Sequence, residues 1–91
     1  MVSVSAAAAG EAWVCEVEVD HAGEHTRHTV TVSPRDLARW GTGDHKEDVE
    51  DLVARSFDFL LEREPPGSIL QRFDLSVIQR YFADYDQQFR R

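Results

Sequence analysis

The chain of 91 residues has one cysteine, one lysine, three prolines and no long apolar run. Cys15 alone excludes an intramolecular disulfide, a redox cysteine pair and a multi-cysteine zinc site. The opening "MVSVSAAAAGEA" has neither the basic start of a signal peptide nor the length of apolar sequence that spans a membrane. A cytoplasmic location is the default expectation, and residues 1–11 are expected to form a flexible tail. Also missing are a glycine-rich phosphate loop, the Asp-x-Asp-x-Asp-Gly pattern of a calcium loop, and a Ser-His-Asp set. No catalytic residue and no cofactor can be named from motif, and a non-enzymatic protein is expected.

Positive charge is scarce. Seventeen acidic residues face ten basic ones, for a formal charge of −7. Such a surface repels phosphate backbones and anionic membranes, which argues against nucleic acid or membrane as a partner. The acidic run "DHKEDVED" at 44–51 lacks calcium-loop spacing and suits a helix start, where the dipole favours negative charge. A hydrophobic content of 42% with 10% aromatics is enough for a folded core. Residues 12–91 are therefore read as one small domain.

"WVCEVEVDHAGEHTRHTVTV" alternates apolar and polar residues with the period of a half-buried strand. A turn centred on Ala22-Gly23 predicts a hairpin with Trp13 opposite Val32, Cys15 opposite Val30, Val17 opposite His28 and Val19 opposite Thr26. The other face would pair Glu18 with Arg27 and Asp20 with His25. "SPRDLARWG" predicts a two-turn helix capped by Ser33, with Pro34 at its first position and Gly41 as its stop. A long helix is expected from about Asp44, with Glu47 completing a capping box. Val49, Leu52, Val53, Phe57, Leu60 and Leu61 would form its apolar stripe.

"PPG" at 65–67 ends that helix. Beyond it, a short helix from Ser68 would carry Ile69, Leu70 and Phe73. A last helix capped by Asp74 would align Leu75, Ile78, Phe82, Tyr85 and Phe89, with Val77 and Tyr81 at the margins. The fold class is α+β: an N-terminal antiparallel hairpin on a long central helix, with short helices and a C-terminal helix.

Two helices around a turn at 68–82 also raise the possibility of a degenerate helix-turn-helix, and thus a transcription-related regulator. Asp74 stands where the turn favours glycine, Arg80 where an apolar anchor is needed, and "REPPG" where a scaffold helix should run. Residues 68–91 carry four arginines and three aspartates, +1, so the remainder sums to −8 and would meet a duplex with an acidic body. These residues are better used in closing the core.

His21, His25 and Asp20 cluster at the hairpin tip, where imidazole and carboxylate could hold a zinc or nickel ion. A solvated surface cluster at a hairpin tip accounts for them better, so a metal- or small-ligand-binding protein stands only as an alternative. His28, on the apolar face, reads as a hydrogen-bonded buried histidine or a pH-sensitive element. Cys15 points inward on its strand and behaves as a small hydrophobe rather than a nucleophile.

The stretches "SFDFLLEREPPGSIL" and "RFDLSVIQRYFADY", spanning Ser56–Tyr85, resemble a family of short bacterial proteins of uncharacterised function. The resemblance covers about a third of the chain, implies a small intracellular protein, and brings no activity or cofactor with it. A two-stranded sheet leaves exposed edges, so the expected role is a protein–protein interaction module or homodimeric accessory protein using the hairpin edge. Trp13, Val14, Trp40 and Arg27 are the interface candidates, tryptophan being enriched at binding hot spots.

Overall fold

The computed structural model describes residues 1–90. Its strands are β1 (Val2–Ala9), β2 (Ala12–His21), β3 (Glu24–Val32) and β4 (Arg72–Asp74). Its helices are α1 (Pro34–Trp40), α2 (Lys46–Leu61), α3 (Val77–Tyr81) and α4 (Asp84–Phe89), with a 3₁₀ turn at Pro66–Ser68. The sheet runs β1-β2-β3-β4, antiparallel except for the parallel β3–β4 pair. This is an α+β fold in two layers: the helices cover one face of the sheet, and the other face carries its polar residues.

The β2–β3 hairpin has the expected register throughout, including Trp13 with Val32, Val17 with His28, and Glu18 with Arg27. Cys15, Val17, Val19, Val30 and Val32 are buried on the helix side. The turn takes left-handed backbone at both centres, Ala22 at φ 52° and Gly23 at φ 82°. Paired positive φ values match the right-handed twist of the flanking strands. α1 has the expected limits: Ser33 Oγ accepts the Asp36 N–H at 3.1 Å, and the Gly41 N–H reaches the Leu37 carbonyl. α2 starts one residue later than expected. His45 is its N-cap, and the His45 N–H donates to Asp48 Oδ2 at 3.1 Å, in place of an Asp44–Glu47 box.

The expected tail at 1–11 is instead largely strand. Val2 to Ala9 pair with Val19 to Ala12 along the whole of β1. Val2, Val4 and Ala6 face the core while Ser3, Ser5 and Ala7 face outward, so a period of two lay inside what composition suggested was loose. Gly10, at φ 63°, makes the turn into β2. Ala6 is buried, and its small side chain allows α2 to lie close against the strand.

The C-terminal helices also differ from expectation. Residues 68–82 hold the end of a 3₁₀ turn, a strand and a five-residue helix, so they do not form a helix-turn-helix. Thr29 N–H donates to the Gln71 carbonyl at 2.8 Å, and Leu75 N–H to the Thr31 carbonyl at 2.9 Å. These bonds extend the ladder on the open side of β3, and tertiary pairing overrides the local helical pattern. Phe73 faces inward beside Val30. The expected last helix is split at Phe82, which is extended at φ −132°, ψ 94°.

Aromatic contacts close the core. Trp40 and Tyr85 meet edge to face at 5.0 Å, and Tyr85 stacks on Phe89 at 4.3 Å. Ser56 Oγ donates to the Leu52 carbonyl at 2.7 Å and accepts the Tyr85 hydroxyl hydrogen at 2.7 Å. That network satisfies both buried hydroxyls.

Candidate functional site

Where α2 ends, the chain turns away at the prolines and leaves its last turn uncovered on one side. β4 and α3 form the opposite bank. Between them lies an apolar cleft of about 460 Å³ lined mainly by Leu60, Ile69, Phe73, Val77, Ile78 and Phe82. The volume is in the range, roughly 300–1,000 Å³, of pockets that accept small molecules or anchoring side chains. Leu60, Ile69, Phe73 and Ile78 are buried at its floor. Leu70, 50% exposed, and Tyr81, 70% exposed, stand at its rim.

These two are the exposed large hydrophobic side chains apart from Met1 among the described residues. Scattered apolar groups on a surface need no explanation, but two on the lips of one apolar cleft do. The Leu70 backbone is held firmly. His28 Nδ1 donates to the Leu70 carbonyl at 2.8 Å, which fixes the tautomer because a carbonyl only accepts. Nε2 then accepts the Thr26 hydroxyl hydrogen at 2.8 Å. His28 thus joins β3 to the cleft's rim, with its ring 5.2 Å from that of Phe57.

Glu64 is the one acidic group lining the cleft. Desolvation by burial raises its carboxyl above the ordinary glutamate value. It has no ion pair among the described residues. Its neighbour Arg63 is turned elsewhere, donating to the Phe59 carbonyl at 2.9 Å and to Asp84 Oδ2 at 2.8 Å. The Arg63 guanidinium also lies 3.5 Å above the Phe59 ring.

A second recess, of about 570 Å³, is polar and lies at the start of α1 between Arg35, Asp36, Asp74 and Arg80. Burial, then the charge of Asp74, raises the Asp36 carboxyl, which the Ser33 hydroxyl, Arg39 and Arg35 partly offset. Three arginines, Arg35, Arg39 and Arg80, face two aspartates, Asp36 and Asp74, around the recess.

The candidates named from sequence are not brought together. Asp20 and His25 are paired across the hairpin, with His25 Nδ1 2.7 Å from Asp20 Oδ1 and Nε2 3.5 Å from Glu18 Oε1. His21, next to Asp20 along the strand, falls on the opposite side of the pleat. Among the described residues no group of three or more His, Cys, Asp or Glu side chains is placed to hold a metal. Cys15 is fully buried, and desolvation, then Glu50 and Glu16, pushes its thiol up to about 12. A thiol so protonated has no nucleophilic character near neutrality.

The hairpin has a strand on either side, and residues 24–28 of β3 lack a strand partner on the outer side among the described residues. β1 flanks β2, and β4 pairs with β3 over Thr29–Thr31. Trp40, expected as a surface anchor, is 1% exposed, and its Nε1–H donates to Asp86 Oδ1 at 2.9 Å. Trp13 and Val14 are half-buried, and Arg27 lies on the polar face with its Nε 3.5 Å from Glu18 Oε1. Reading sequence alone placed Leu70 in the core of a short helix and Tyr81 at the margin of the last one. Instead Leu70, on the segment leading into β4, and Tyr81, at the end of α3, are both exposed.

No family model matches the chain, and no curated protein or solved structure matches it. No helix is long and apolar enough to cross a membrane among the described residues.

Proposed function

We propose that this protein is a non-enzymatic cytoplasmic interaction module that docks another protein in the Leu60–Ile78 cleft. The observation that carries the reading is the position of Leu70 and Tyr81, both exposed at the rim of one preformed apolar cleft. Apolar side chains inserted there would gain about 25 cal/mol for each Å² removed from water, and the tyrosine would keep its hydroxyl wet. The floor needs no rearrangement to receive them, which lowers the ordering cost of binding. The cleft offers a lone carboxyl and hydroxyls, without the acid–base or nucleophile–base pair that catalysis of group transfer requires. The buried thiol of Cys15 suits a reducing compartment.

The test compares two affinity purifications from cells that express the protein. One uses the wild-type chain and the other the Leu70→Asp/Tyr81→Ser variant. A protein retained in stoichiometric amount by wild type, lost by the variant and still retained by Arg27→Ala supports cleft docking. Equal retention by all three chains places the contact elsewhere and defeats the reading.

A further inference from the structure

We infer that the occupant of the cleft is a short amphipathic helix of another protein, presenting aliphatic side chains and one lysine or arginine directed at Glu64. The inference rests on the docking reading above and adds the chemistry of the partner.

Charge complementarity carries it. The cleft walls are apolar, and Glu64 is the single acid or base among them except for the Tyr81 phenol. Arginine partners occupy Asp51, Asp84 and Asp86, whereas Glu64 has none among the described residues. Arg63, the nearest cation in sequence, is held away by Phe59 and Asp84. Burial disfavours the charged form of Glu64 in the empty cleft, and a cation seated beside it would restore that form. An acidic protein at −7 would also draw a basic segment toward it before contact.

Geometry favours a helix over an extended strand. The cleft is lined by side chains from α2, the Ser68–Leu70 segment, β4 and α3. β4, at three residues, is too short to template a strand of useful length. A helix instead sets anchors at i, i+3, i+4 and i+7 along one face, filling the floor while a basic residue one turn away meets Glu64.

A display library of random peptides tests this directly, selected on the wild-type protein and counter-selected on Leu70→Asp/Tyr81→Ser. Both replaced residues are well exposed, and a wild-type circular dichroism spectrum is required of the variant before it is used. The expected sequences repeat aliphatic residues at helical spacing with a single Lys or Arg. Binding of a synthesised winner should weaken by about tenfold in Glu64→Gln, as for loss of a charge-assisted hydrogen bond. Glu64→Lys should recover affinity for the same peptide with its basic residue changed to Glu.

Cleft-dependent peptides without a basic residue, or with affinity indifferent to Glu64→Gln, overturn the inferred chemistry and leave the docking reading intact. Absence of any cleft-dependent peptide overturns both. A concentration-dependent dimer of the protein that requires Leu70 and Tyr81 makes a second copy the occupant, and so also overturns the inference.

Discussion

Glu50 Oε2 accepts a hydrogen bond from the Ala6 N–H at 2.9 Å, placing a helix carboxylate at the middle of the sheet's free edge. The Asp20 N–H donates to the Met1 carbonyl at 2.8 Å, and the Met1 amine donates to the Asp20 carbonyl. Alternation then puts odd-numbered residues of β1 in the hydrogen-bonded pairs with β2. The outward backbone groups belong to Val2, Val4, Ala6 and Ala8. Glu50 occupies the central donor, a way of blunting an edge that would otherwise template another strand.

Glu50→Ala should therefore do two things. It leaves the part-buried Ala6 N–H without its partner, costing about 1–2 kcal/mol of stability in urea unfolding. It also opens the edge, and light scattering should register a rise in mass with concentration. Glu50→Gln keeps an acceptor and should remain near wild type in both measurements.

Ala22 holds φ at 52°, a region that costs an ordinary L-residue about 1–2 kcal/mol. Asparagine tolerates it, and Asn-Gly is a favoured pair for this turn. Ala22→Asn should stabilise the protein by about 0.5–1 kcal/mol, seen as a higher urea midpoint with an unchanged slope.

How legible the fold was in sequence followed the range of the interactions. The β2–β3 register and the Ser33 cap were legible because alternation, turn chemistry and a cap are local. β1 was hidden because alanine carries little strand signal, and its evidence lies in pairing with Val14, Cys15 and Glu16. β4 was hidden because three residues cannot establish a period. The cleft depends on β4, so Leu70 and Tyr81 became legible as a site only in three dimensions. Glu64 looked like one more acid at a helix end.

Asp86 is held below the ordinary carboxylate range by its bond from Trp40 Nε1–H, then by Arg90 and Arg39. A carboxyl lowered in the folded state contributes stability that is complete above its unfolded value and is lost as pH falls through the folded value. Thermal unfolding should therefore show stability falling as acid protonates Asp86. Asp86→Asn should be less stable than wild type at neutral pH and lose less stability over the same acid window.

Cys15, with its thiol pushed up to about 12 and its side chain sealed under α2, should resist thiol reagents in the native state at pH 8. Labelling should proceed only through unfolding or a large opening, and accelerate with urea in step with loss of structure. Prompt labelling of the native protein would show that β1 opens readily.

The most direct test of the central claim is an amide NMR titration of the labelled protein with a selected cleft-binding peptide. The predicted result is a contiguous set of shifts at Leu60, Glu64, Ile69, Leu70, Phe73, Ile78 and Tyr81, abolished in Leu70→Asp/Tyr81→Ser. Shifts confined instead to Val2, Val4 and Ala8, or to the recess around Asp36 and Arg80, would contradict the account.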